Sequence, residues 1–180
     1  LLRKAAEAAL SWPRELFMSF NLSSAQLMDP GTSANVLSIL GRVGFDPHRL
    51  ELEITETAVM SSADTAHRII SDLRQAGVRI SLDDFGTGQS SLGRLRDFIF
   101  DKVKIDRAFV SRINSDRASE HIVKAVLAMC EGLDLEVVAE GIEDHAEAAK
   151  LKSLGCAMGQ GYYYGKPADS TATLRYLHGN

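Results

Sequence analysis

Two cysteines in 180 residues, Cys130 and Cys156, both set among apolar neighbours, leave no disulfide framework and no zinc site for a fold to depend on. No apolar run approaches the roughly 20 residues that a membrane-spanning helix needs, and no signal-peptide pattern opens the chain. An excess of positive charge is missing too. The formal net charge is −4 and the pI about 5.7, which speaks against duplex DNA as a partner and leaves room for a small phosphorylated ligand held through a metal. The histidines at 48, 67, 121, 145 and 178 show no zinc-site pairing and read as surface helix or turn residues. What is present, 45% hydrophobic and 24% charged residues, suits one soluble globular domain over residues 1–180, with a cytoplasmic location expected. The chain opens without Met in residues that read as helix, so it is expected to be a piece of something longer.

Strand and helix signals alternate along the chain. Leu1 to Leu10 reads as a helix that Trp12-Pro13 ends, and Leu16 to Ser23 as a strand finishing on polar residues. A helical region from Ser24 to Val43 is interrupted at Asp29-Pro30-Gly31. Leu50 to Glu56 alternates cleanly: Leu50, Leu52 and Ile54 on one face, Glu51, Glu53 and Thr55 on the other, as in a half-exposed strand. Ser61 and Ser62 offer an N-cap to a helix carrying Ile69, Ile70 and Leu73, with Gly77 beyond its end. Further on come a strand at Phe100–Asp106 and a helix at Ser119–Glu131 with Ile122, Val123, Val126, Leu127 and Cys130 inward. A strand at Leu135–Gly141, a helix at Asp144–Ser153 and a last strand at Ala157–Tyr162 follow.

The stretch that organises the rest is Ser81-Leu82-Asp83-Asp84-Phe85-Gly86-Thr87-Gly88. Val78, Ile80 and Leu82 open it as a strand, and two carboxylates follow side by side. Neighbouring side chains of a continuing strand point to opposite faces, so for Asp83 and Asp84 to serve one centre the strand must end near Asp83 and bend, at Gly86 and Gly88. Two carboxylates facing one place call for a cation, and hard oxygen ligands suit Mg²⁺ or Mn²⁺. A polar strand-to-loop corner with a capping Asp would look the same.

Polar groups close each strand: Asn21, Glu53, Asp83, Lys104, Glu140 and Gln160, at intervals of 20 to 36 residues. Those are βα-unit lengths, so all six can lie at the carboxyl end of one parallel sheet, where a (β/α) barrel keeps its active site. A doubly wound sheet is the rival, but no Gly-rich phosphate turn follows the first strand. The expected fold is therefore α/β, a modified TIM barrel with about six of eight βα units in this chain and two strands expected before Leu1.

Asn21-Leu22-Ser23, Glu53-Ile54-Thr55-Glu56, Asp83-Asp84-Phe85-Gly86-Thr87-Gly88, Lys104-Ile105-Asp106, Ala139-Glu140-Gly141-Ile142-Glu143 and Gln160-Gly161-Tyr162 occur in that order. As an ordered set they resemble the EAL-domain family of bacterial cyclic di-GMP phosphodiesterases. The resemblance implies hydrolysis of cyclic di-GMP to linear pGpG with two divalent cations, Mg²⁺ or Mn²⁺. It implies Asn21, Glu53 and Asp83 as ligands of the first metal, with Asp83 bridging to a second that Asp84 and Glu140 approach. Lys104 and Gln160 would position or polarise the attacking water, and Glu140 could act as ligand, base or both. Glu56 would tether the loop Phe85, Gly86, Thr87, Gly88; Glu143 would support the site from behind, and Asp106 would lie near the substrate or water network. The resemblance further implies a homodimer and an upstream sensory or GGDEF-type domain in the parent protein.

The chain departs from the family pattern in two places: no Glu-Ala-Leu motif precedes Asn21, and Gln89 stands where Tyr is common. A catalytically inactive cyclic di-GMP-binding regulatory module is the alternative, and an enolase-type barrel a third reading that leaves the Asp83-Asp84 loop and Gln160 without a role. Tyr162, Tyr163 and Tyr164 are expected to divide between packing and rim, and Glu51 to sit below the site.

Overall fold

The computed structural model describes residues 1–61, 63–86 and 98–177, with side chains 60 and 61 left aside. The chain divides into two compact units, Leu1–Ile80 with Pro167–Asn180, and Ser81–Lys166.

In the first unit, helix α1 (Leu2–Ala9) leads to strand β1 (Met18–Asn21). A capping box between Ser23 and Gln26 starts the short α2 (Ser24–Leu27), and α3 (Thr32–Val43) follows the break at Asp29-Pro30-Gly31. A 3₁₀ turn at Pro47–Arg49, capped by Asp46, delivers β2 (Leu50–Thr55). The Arg49 guanidinium ties this turn to the end of α1 by donating to the carbonyls of Leu16 (2.8 Å), Pro13 (3.1 Å) and Ala9 (3.3 Å). β1 and β2 run parallel, Met18 opposite Leu50 and Asn21 opposite Glu53. β2 differs from the expected half-exposed strand: Leu50, Leu52 and Ile54 are wholly buried, and Glu51 and Glu53 are buried too. Glu51 accepts a hydrogen bond from Ser19 Oγ at 3.3 Å.

A helix not expected from the sequence precedes the one expected after Ser61 and Ser62. Helix α4 (Glu56–Ser61) starts directly after β2, and Thr55 Oγ1 accepts the Ala58 amide at 3.3 Å, serving as the cap. Ser62 lies outside the described residues. Helix α5 (Ala63–Gln75) then buries Ala66, Ile69, Ile70 and Leu73. Strand β3 (Arg79–Phe85) starts at the end of the first unit and runs into the second.

In the second unit, β3, β4 (Lys102–Ile105), β5 (Glu136–Ala139) and β6 (Met158–Gly159) pair in parallel in that order. Helix α6 (Arg107–Val110) follows β4 at once, capped by Asp106, so Asp106 opens a helix and does not end the strand. Asp116 caps α7 (Arg117–Gly132) and Asp144 caps α8 (His145–Ser153), each by accepting amides of the first turn. On α7, Val123, Val126 and Cys130 face the core as expected; Ile122 is exposed instead, displaced from the buried stripe. β6 is shorter than expected, and Tyr162, Tyr163 and Tyr164 fall in the turn after it, each about half exposed. The chain then returns to the first unit as α9 (Ser170–Leu177), a helix not expected from the sequence, with Asp169 before it accepting the Ala172 amide at 2.8 Å. Both cysteines are buried free thiols, and burial raises both above the usual thiol range, Cys130 to about 11. Among the described residues no helix is long and apolar enough to cross a membrane.

Candidate metal centre

The two aspartates do not wait for a glycine to bring them together. β3 continues past them to Phe85, and the bend is a bulge: Leu82 pairs with Val103 and Phe85 with Ile105, so Asp83 and Asp84 together stand opposite Lys104 alone. Asp84 itself takes the left-handed conformation, φ 57°, and its amide donates to Asp83 Oδ1 at 3.0 Å. Asp tolerates that backbone because its short polar side chain can bond locally. The expected bend at Gly86 is thus one residue pair too late. Gly86 (φ 97°) turns the chain away after the strand has ended, with the Phe109 ring against it. Thr87 and Gly88, and Gln89 beyond them, lie outside the described residues.

Glu140 reaches the same place from the end of β5, on the far side of β4. Its amide donates to Ile105 C=O at 3.0 Å, continuing the β4–β5 ladder one residue beyond Ala139. Gly141 then turns the chain with φ 68°. Ile142 crosses over, donating to Gln160 C=O at 3.1 Å, while the Gln160 amide donates to Ala139 C=O at 2.8 Å. Gly161 is required here for space, since a Cβ on it would lie 2.1 Å from the Ile142 carbonyl oxygen. Gln160 therefore sits beside Glu140 along the sheet, its side chain exposed.

Asp83, Asp84 and Glu140 each offer an oxygen within 4.8 Å of the others. Lys104, 4% exposed at the end of β4, places Nζ 2.5 Å from Glu140 Oε1 and 3.6 Å from Asp83 Oδ1. Asp84 is held above the ordinary carboxylate range by burial first, then by the charges of Asp83 and Asp106 and a carboxyl hydrogen bond with Asp106; Lys104 pulls the other way. Among the described residues, the Lys104 ammonium stands against two of these three carboxyl groups. Opposed oxygens around a hard divalent cation stand roughly 4–5 Å apart, so the donor set fits such an ion.

Other residues named from the sequence occupy definite places. Asn21 and Glu53 are register partners at the carboxyl ends of β1 and β2 in the first unit, Asn21 exposed and Glu53 buried. Glu56, also buried, opens α4. Asp106 accepts the Ala108 amide at 2.7 Å. Glu143 is bound by Arg107, Nη2 to Oε1 at 2.5 Å, and its amide donates to Glu147 Oε2 at 2.7 Å. Arg107 is the residue that sequence reasoning passed over. Its signal was a cation directly after the Lys104-Ile105-Asp106 run, but its partner lies 36 residues away.

The EAL domain profile matches residues 1–167. The chain belongs to the EAL domain family. An uncharacterized signaling protein of Caulobacter vibrioides is 43% identical over 168 residues, 93% of this chain and 21% of that protein. The PaMucR phosphodiesterase, solved in complex with c-di-GMP, superposes with a TM-score of 0.90 at 35% identity over 96% of this chain and 71% of that one. Klebsiella pneumoniae BlrP1, solved with manganese and cyclic di-GMP, gives a TM-score of 0.82 at 32% identity over 89% of this chain and 41% of that one. Like those EAL structures, the chain has a mixed α/β fold with six parallel strands, a part of a TIM-like barrel. It spans about a fifth of the length of the first curated relatives it matches.

Proposed function

We propose that this EAL chain is the metal-dependent catalytic domain of a cyclic di-GMP phosphodiesterase acting in bacterial second-messenger signalling. The observation that carries the proposal is the β3 bulge, which turns Asp83 and Asp84 to the same strand end as Glu140 and sets all three against Lys104. A structural ion pair needs one carboxylate for one ammonium; three carboxylates with oxygens within 4.8 Å of one another are what a site for divalent cations and a phosphodiester requires.

In this reading Asp83, Asp84 and Glu140 would hold divalent cations, Mg²⁺ or Mn²⁺, and by the family resemblance there would be two, with Asp83 a ligand of both. By the family resemblance Asn21 and Glu53 are further ligands and Glu56 supports the loop that begins at Phe85. Bound cations would supply polarisation of the phosphodiester and acidification of a water. Lys104 stays charged among its carboxylates, which fits it to orient the water and stabilise charge at phosphorus and not to take up a proton. Gln160, at the neighbouring strand end, has the donor and acceptor to fix that water's orientation. Water adds to one phosphorus, the P–O3′ bond breaks, and the 3′ oxygen leaves with a proton, giving linear pGpG. By the same resemblance we propose a homodimer and a parent protein with an upstream sensory or GGDEF-type domain.

The test is incubation with cyclic di-GMP and Mg²⁺ or Mn²⁺, with products separated by chromatography. Release of pGpG that stops on chelation supports the proposal. Tight cyclic di-GMP binding without product points to the regulatory binding module, and neither binding nor product refutes both.

A further inference from the structure

Helix α6 has only four residues, yet it touches both strand ends that carry the carboxylates. Toward β3, the Phe109 ring lies so close over Gly86, two residues beyond Asp84, that a Cβ there would stand 3.1 Å from it. Toward β5, the aliphatic stem of Arg107 lies on Gly141, where a Cβ would meet Cγ, Cβ and Cδ of Arg107 at 2.3, 2.6 and 2.8 Å. The guanidinium goes on to Glu143. The segment from Glu140 to Glu143 is thus gripped twice, from α8 through the Glu147 carboxylate on the Glu143 amide, and from α6 through Arg107.

Exposure decides what this second grip is for. The Arg107 and Glu143 side chains are 62% and 48% exposed, and ion pairs that open to water contribute little to global stability. The effect of the pair must therefore be local, on the left-handed turn at Gly141 that aims Glu140.

We propose that Arg107 is a positioning residue. From α6, which already braces Gly86, it fixes the Gly141 turn and so the direction of the Glu140 carboxylate. α6 then acts as a strut that sets the two carboxylate-bearing strand ends against each other. The inference rests on the metal-centre reading of Glu140 and reaches a residue to which that reading gives no role.

The test compares wild type, Arg107→Ala, Arg107→Lys, Glu143→Gln and the Arg107→Ala/Glu143→Gln double variant by amide hydrogen exchange across 140–143 and by calorimetric Mn²⁺ titration. Arg107→Ala should leave the thermal midpoint nearly unchanged while speeding exchange at Gly141 to Glu143 by roughly fivefold, the upper end for an exposed ion pair. Mn²⁺ affinity should fall by about tenfold, the lower end for partners that orient a metal ligand. Glu143→Gln should reproduce much of this, the double variant should add little, and Arg107→Lys, whose stem can still cover Gly141, should recover part of it. Exchange and Mn²⁺ affinity in Arg107→Ala equal to wild type would overturn the inference. A wild type that binds Mn²⁺ without cleaving cyclic di-GMP would overturn the phosphodiesterase reading alone, with the exchange and affinity comparison still deciding for Arg107. A wild type without Mn²⁺ affinity would overturn both.

Discussion

Replacing Lys104 by Met tests the charge balance of the site most directly. Nζ stands 2.5 Å from Glu140 Oε1 and 3.6 Å from Asp83 Oδ1. At an effective dielectric of about 20 these contacts represent ~7 and ~5 kcal/mol of gross attraction. Removing the ammonium from water opposes that gain by several kcal/mol, so the pair's net worth is small; the variant's cost lies in what stays behind. Met keeps most of the buried stem, so packing changes little. Asp83 and Glu140 then lose the ammonium that contacts both of them. Removing one partner of a buried pair costs about 3–5 kcal/mol, and since these carboxylates keep 14% and 18% exposure we expect somewhat less, about 2–4 kcal/mol. For a chain of this length that is a fall in Tm of roughly 5–15 °C, read by circular dichroism at pH 7 without metal. Adding Mn²⁺ should narrow the gap, because a divalent ion restores the missing positive charge, while turnover stays lost. A metal-free Lys104→Met protein within about 0.5 kcal/mol of wild type, or a deficit untouched by Mn²⁺, would refute Lys104 as counterweight to the metal ligands.

Three further outcomes are expected. Asp83→Asn should abolish turnover, because the proposed shared ligand loses its charge; product chromatography that still shows most of the activity would remove Asp83 from that role. Asp84 carries a raised pKa, so the folded state holds its proton more tightly than the unfolded chain. Stability should therefore decline as pH rises from 3.8 to the raised value, and urea midpoints measured across that window should lose the decline in Asp84→Asn. Gly161→Ala would drive a Cβ to 2.1 Å from a backbone oxygen that cannot move alone, and should cost about 1–3 kcal/mol or more in denaturant titration, whereas Gly132→Ala, with open space around it, should cost no stability.

The strand ends were legible because apolar alternation stops at a polar residue in each βα unit, and Asn21, Glu53, Asp83, Lys104 and Glu140 all fall within two residues of an observed strand terminus. What escaped was backbone detail. A bulge has no side-chain signature beyond a residue that tolerates positive φ, and Asp84 is a weaker advertisement for it than the glycines that follow. The alternation in β2 gave the faces correctly but not their burial, since Glu51 and Glu53 are enclosed despite their charge. α4 was missed because its start signal, Thr55, sits inside the alternating pattern of β2, whereas α5 begins directly after the two serines expected to open it. Arg107 was hidden by distance along the chain: nothing in a linear reading joins it to Gly141 and Glu143.

The bulge in β3 also acts as a change of parity. Up to Leu82 the strand's even and odd positions keep one assignment of inside and outside; one surplus residue exchanges the two, and Phe85 resumes on the register that Ile105 dictates. Deleting Asp84 would therefore not simply subtract one carboxylate. It would restore an unbroken alternation in which Phe85 still falls opposite Ile105 and Asp83 alone stands opposite Lys104, an ordinary member of an alternating row. Anyone transplanting this site to another sheet would have to carry the extra residue across together with the acids, because the insertion makes neighbours in sequence into neighbours on one face.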